Sequence, residues 1–128
     1  MLIKVAVGII LRDKKVFIAF RNSSQDQGGL WEFPGGKCEG NELIDTALIR
    51  ELKEECDIKV MDYQFFKTIS HHYAAKQVEL HFYWVTSFEG EPKGKEGQKV
   101  CWVAINDLSV FEFPEANKEI VGALLESL

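Results

Sequence analysis

Three glutamates, Glu51, Glu54 and Glu55, stand at i, i+3 and i+4 within Asn41 to Cys56, a stretch whose apolar residues recur with a helical period. No other feature constrains the chain as much. In a helix the three side chains share one face. At ~100° per residue they fill an arc beside the apolar side formed by Ile44, Leu48, Ile49, Leu52 and Cys56. Ile44, Ala47 and Leu48 precede them on the same stripe, so the helix passes from core packing into a cluster of carboxylates. Like charges at this spacing repel, and more strongly where solvent is excluded. Something positive has to compensate. Oxygen ligands without His or Cys favour a hard cation, magnesium or manganese, over zinc. Arg50 and Lys53 offer a metal-free alternative, and a solvated acidic helix face is the plainest one. Two features argue against plainness: a Gly35-Gly36 pair just before the helix, where backbone can approach closely, and Glu96 in a Gly-flanked loop, available as a fourth carboxylate.

Charge points the same way. The 128 residues carry 20 acidic and 15 basic side chains, a formal net charge of −5. Between Lys37 and Asp57, seven acids (Glu39, Glu42, Asp45, Glu51, Glu54, Glu55, Asp57) face three bases (Lys37, Arg50, Lys53). Four of the five excess negative charges therefore lie in one short segment. A stable nucleic-acid partner is not expected, because duplex binders carry a basic footprint. Length and a hydrophobic content of 46% suit one soluble domain over residues 1–128, expected as a monomer. Cys38, Cys56 and Cys101 form no CxxC pair, which fits a reducing cytoplasm better than a disulfide framework. The apolar start, Met1 to Leu11, is too short to span a bilayer and is expected to be a buried strand.

Ile3 to Leu11 and Val16 to Phe20 are β-type runs around the polar turn Arg12 to Lys15, a hairpin pattern. Asn22 to Gly29 is expected to be a loop, and Pro34-Gly35-Gly36 to end the strand that Trp31 begins. Asn41 is the expected N-cap of the acidic helix, with Glu42 in its first turn. Strands are expected around Phe65 to Ser70, Val78 to Ser87 and Val100 to Val103, with Gly90 to Gly97 a loop. Ala116 to Leu128 reads as a terminal helix with Ile120, Val121, Leu124 and Leu125 inward. Strands interleaved with two helices predict an α/β sandwich with a mixed sheet between helices.

Residues 36–58, GKCEGNELIDTALIRELKEECDI, resemble the Nudix box. Gly36, Glu42, Arg50, Glu51, Leu52, Glu54, Glu55 and Ile58 all match its spacing. Asp57 stands where the pattern has a second glycine, a position that ends the helix in a left-handed conformation, which Asp tolerates better than most residues. Val5 to Ile10, Glu32 to Lys37, Gly90-Glu91-Pro92, Gly94 to Gln98 and Phe113 to Asn117 are similar to MutT-type nucleoside triphosphate pyrophosphohydrolases, so the resemblance covers essentially the whole chain.

The resemblance implies a Nudix-type α/β/α sandwich and water attack at a β-phosphorus, with a nucleoside monophosphate and pyrophosphate as products. It implies magnesium, or manganese, held by Glu54, Glu55, Glu96 and the Gly36 carbonyl, with Glu42 farther out. Glu51 matches a proposed general base, and a metal-ligand role is equally compatible. Arg50 would orient the glutamates through charge-assisted hydrogen bonds. Arg21 matches a phosphate-contacting arginine, against a solvated surface charge; Lys37 is more ambiguous. Glu32 and Phe33 fall in the substrate-lining stretch, and Phe33 and Tyr73 are candidates to pack on the base or simply to fill core. Asn117 matches the asparagine that reads 8-oxoguanine, with an N-cap role as the alternative. The implied activity is hydrolysis of 8-oxo-dGTP and related oxidised purine triphosphates. Asp26 to Phe33 also looks like cytidine-nucleotide pyrophosphatases, which keeps dCTP or 5-modified cytidine triphosphates as an alternative. A non-catalytic nucleotide-binding module is the second alternative.

Overall fold

The computed structural model describes residues 1–21 and 29–127, without the side chain of Tyr73. Leu2–Arg12 forms β1 and Lys15–Phe20 forms β2. The turn between them holds Asp13 and Lys14 at positive φ, 52° and 63°, the pair of signs that a tight twisted hairpin requires. Trp31–Glu32 is β3, Gly35–Lys37 is β4 and Ile44–Cys56 is α1. Lys59–Tyr73 and Lys76–Glu89 are the long strands β5 and β6. Val100–Ala104 is β7, Ile105–Val110 a 3-10 turn and Glu115–Glu126 is α2.

These strands make one seven-stranded mixed sheet, ordered β3-β2-β1-β6-β5, with β4 added on β1 and β7 on β2. β1 runs parallel to β6 from Leu2↔Gln77 to Ile10↔Val85. Side chains alternate across a strand, and β1 uses both faces. Val7 and Ile9 join α2 residues Ala116, Ile120, Val121 and Leu124 in one core. Ala6 and Ile10 join Ala47, Leu48, Leu52 and Cys56 of α1 in the other. The sheet thus lies between two helices, the predicted α/β/α sandwich. Gly8 sets the distance of α1: a Cβ there would stand 2.7 Å from Leu52 Cδ1. None of the described helices is long and apolar enough to cross a membrane.

Four expectations are corrected. Pro34-Gly35-Gly36 does not simply end a strand; Gly35 and Gly36 open β4, paired with Val7 and Ala6 of β1. That pairing needs a residue without Cβ, since at Gly35 the space belongs to the Ala6 carbonyl. α1 starts three residues later than Asn41, with Leu43 at its N-cap. Glu42 stays outside the helix because its carboxylate is drawn to Arg50 and to the Glu39 N–H. Ile49 is turned outward, 37% exposed, while Ala47 takes the inward place. β5 extends well beyond Phe65 to Ser70, because β6 pairs with it from Lys59 to Tyr73. The expected loop Asn22 to Gly29 lies outside the described residues except for Gly29.

Candidate active site

The three glutamates of α1 share a face, but not one environment. Relative to Glu51, Glu55 is rotated ~40° toward Leu48 and Leu52, and Glu54 ~60° away from them. Exposure follows the angle. The Glu51 side chain is 19% exposed and that of Glu54 57%. Glu55 faces β4, where the Gly35 N–H donates to its Oε2 at 3.3 Å. Burial, then the nearby charge of Glu32, pushes the Glu55 carboxyl up to about 8, with Glu96 and Glu51 adding to it. Glu51 is raised too, mainly by burial and against the pull of Arg50.

Arg50 is the hub of this region. Its Nε donates to Glu42 Oε2 at 2.8 Å and its Nη2 to Glu42 Oε1 at 2.9 Å. Its Nη1 reaches Glu51 at 2.9 Å and Glu54 at 3.2 Å, and Nη2 also donates to the Lys37 carbonyl. This fork keeps Arg50 charged and holds the Glu42 carboxyl down at about 2, with the Arg50 bonds as the main cause. Arg50 thus bonds to three glutamates at once. Gly36 completes the arrangement from β4, for a Cβ there would collide with the Glu51 carboxylate.

A cavity of ≈ 670 Å³ opens beside these groups, within the range of ligand pockets. Glu51, Glu55, Glu96, Gly36, Arg21 and Lys37 line it. Alternate residues of β1, Ile3, Val5 and Val7, supply an apolar floor with Val78 and Leu80 of β6. Sequence reasoning had no place for that floor, although the period-two alternation of β1 carried the signal. Glu32 lines the cavity as well, and accepts from Arg21 Nη1 at 2.9 Å. Burial raises the Glu32 carboxyl against the pull of that guanidinium.

Asn117 lines the same cavity from the first turn of α2. Pro114, not Asn117, is the N-cap, so the capping alternative is set aside. Phe33 lines the cavity while only 3% exposed, stacked on Phe113 at 5.2 Å; it belongs to core and cavity at once. One candidate is not brought here. Glu54 turns to Arg50 at the surface, and the side chain of Tyr73 lies outside what the structure describes.

Among the described residues, no three His, Cys, Asp or Glu side chains stand pre-gathered as a metal cluster, and Glu51 and Glu54 are bonded to Arg50. The donor chemistry nevertheless fits a hard cation. Glu51, Glu55 and Glu96 border one cavity with an accessible backbone strand, and burial raises the hold of Glu55 and Glu51 on their protons. A divalent ion replaces such protons and favours all-oxygen ligands.

A carboxylate-bearing helix set against a glycine strand, beside a substrate-sized cavity, suits a hard cation and a ligand that shares it. Residues 6–123 match the family model described as NUDIX domain, and the chain belongs to that family. It is 36% identical over 120 residues to an 8-oxo-dGTP diphosphatase of Buchnera aphidicola subsp. Schizaphis graminum, covering 94% of this chain and 91% of the relative. It is 34% identical over 124 residues to a CTP pyrophosphohydrolase of Escherichia coli, covering 97% and 92%. Among solved structures, a MutT described for Aliivibrio salmonicida and Vibrio cholerae matches with a TM-score of 0.90 and 38% identity, over 100% of both chains.

Proposed function

We propose that this Nudix hydrolase cleaves 8-oxo-dGTP to 8-oxo-dGMP and pyrophosphate, as a monomer acting on free nucleotides. This keeps the oxidised base from incorporation opposite adenine. The carrying observation is that one cavity joins Glu51, Glu55 and Glu96 with Arg21, an apolar floor and the Asn117 amide. Phosphate chemistry and base readout then lie within reach of a single ligand.

Glu55, Glu96 and the Gly36 carbonyl are assigned to magnesium or manganese, with Glu54 joining from its place beside Arg50. When bound, such an ion neutralises the polyphosphate and acidifies a coordinated water. Glu51 accepts the proton of the attacking water, a role that its burial-raised proton affinity favours. The water oxygen bonds to the β-phosphorus as the bond from that phosphorus to the α–β bridging oxygen breaks, and the electron pair leaves on the α-phosphate. Arg21 exchanges Glu32 for a phosphate oxygen, and Lys37 adds positive charge at the cavity wall. The Asn117 amide donates to O6 and accepts from the N7–H that oxidation creates. Guanine carries a bare acceptor at N7 and leaves that contact unmade.

Pyrophosphate release from 8-oxo-dGTP, dGTP, dCTP and 5-hydroxy-dCTP, measured side by side with magnesium, tests the reading. The oxidised purine is expected to lead in kcat/KM. A cytidine preference would favour the second reading, which rests on the likeness to the CTP pyrophosphohydrolase. No release from any triphosphate would overturn the enzymatic assignment.

A further inference from the structure

Asp57 occupies the position where the Nudix pattern has a glycine. It adopts the left-handed conformation, φ 60° and ψ 37°, and caps α1 as glycine would. The backbone angle therefore gives no account of its carboxylate, which is also the wrong sign for the end of a helix dipole. The carboxylate is engaged elsewhere. Oδ1 lies 3.2 Å from Lys53 Nζ and 3.6 Å from Lys95 Nζ, and Oδ2 lies 3.3 Å from Lys93 Nζ.

Two of those lysines belong to the loop that follows β6. Main-chain bonds hold the same residues to the last turn of α1: the Lys93 N–H donates to the Cys56 carbonyl and the Lys95 N–H to the Glu55 carbonyl, both at 3.1 Å. The loop enters tightly as well, for a Cβ at Gly90 would stand 3.0 Å from the Asp57 carbonyl. The residue after Lys95 is Glu96, which borders the cavity beside Glu51 and Glu55. One carboxylate thus ties the helix that carries two of the site's glutamates to the loop that carries the third.

We propose that Asp57 is a positioning residue: with Lys93 and Lys95 it clamps the 91–97 loop to the end of α1 and so sets Glu96 at its working distance from Glu51 and Glu55. The inference rests on the assignment of Glu96 to the metal. Single exposed ion pairs are weak. Here one anion serves three cations, and the clamp has only to bias the position of a short loop already bound through its main chain.

Asp57→Asn tests it, because Asn keeps the left-handed cap and removes the charge. Two readouts need no turnover: amide exchange of Lys93 and Lys95, and Mn2+ affinity of the nucleotide-free protein by electron paramagnetic resonance. In the variant both loop amides are expected to exchange about three- to fivefold faster, with Mn2+ affinity falling by a similar factor. The metal concentration for half-maximal activity should rise more than kcat falls. About 0.5 M KCl should reproduce the faster exchange in the native protein and add little in the variant. Lys93→Gln/Lys95→Gln should give the same changes from the other side of the clamp. Unchanged exchange and affinity in Asp57→Asn would overturn the clamp, provided Glu96→Gln weakens Mn2+ binding. If Glu96→Gln also binds Mn2+ normally, the metal assignment of Glu96 falls, and with it the purpose of the clamp. Faster exchange along the whole of α1 would reduce Asp57 to a helix cap and equally overturn the proposal.

Discussion

Arg50 and Glu42 meet as a two-pronged pair, Nε to Oε2 at 2.8 Å and Nη2 to Oε1 at 2.9 Å. The contact crosses from the segment before α1 to the middle of the helix. It leaves Nη1 aimed at Glu51 and Glu54. Two parallel bonds fix the plane of the guanidinium, and that plane fixes where the Glu51 carboxylate rests.

Arg50→Lys keeps a positive charge but cannot hold the fork. The expected result is a ~10–100-fold fall in kcat/KM, as for other groups that orient metal ligands, with the fold retained by circular dichroism. Full activity in the lysine variant would show that charge alone suffices.

Acid stability should depend on Glu42. Its folded-state pKa of about 2 lies below the ordinary value, so its contribution is complete above roughly pH 5 and is lost as pH falls toward 2. Urea unfolding at stepped pH should find the native protein more stable than Glu42→Gln near neutrality, with the difference shrinking below about pH 4 and closing only near pH 2. A constant difference across this range would place the Glu42 contribution elsewhere than in its charge.

Gly36→Ala and Gly8→Ala separate catalysis from packing. Both insert one methyl group into occupied space, each at a cost of about 1–3 kcal/mol. At Gly8 the obstacle is Leu52, so lowered thermal stability with nearly normal kcat is expected. At Gly36 the obstacle is the Glu51 carboxylate, so kcat should fall at least ~10-fold. Steady-state kinetics beside thermal melts of the two variants check the contrast.

Glu51→Gln retains shape and loses the proton acceptor. A fall of ~10²–10⁴ in kcat is expected, with Mn2+ binding weakened far less. If metal binding collapses together with kcat, Glu51 is a ligand rather than the base.

Asn117→Ala should erase most of the preference for 8-oxo-dGTP over dGTP, worth about 1–3 kcal/mol in relative kcat/KM. Undiminished discrimination would move base readout to another part of the cavity.

The legibility of this protein in its sequence varied with the range of the interactions involved. The β1–β2 hairpin and α2 carry their own local patterns, and their expected limits lie within two residues of those observed. The start of α1 is not legible locally because Glu42 bonds to a partner eight residues away, Arg50, and takes no place in the first turn. β4 was missed because two glycines and a proline signal a break, and only the neighbouring β1 backbone makes Gly35–Lys37 a strand.

By itself the sequence determined the glutamate spacing, the glycine pair, the concentration of negative charge and the family pattern, all set by covalent order and helical period. Only the tertiary structure decided which glutamate is buried and which faces solvent. It also decided that Arg21 rests on Glu32, that Asn117 borders the cavity instead of capping α2, and that Asp57 reaches Lys93 and Lys95. The reason is physical. Helical period fixes an angle around an axis, whereas burial and charge pairing depend on what the rest of the chain brings to that side.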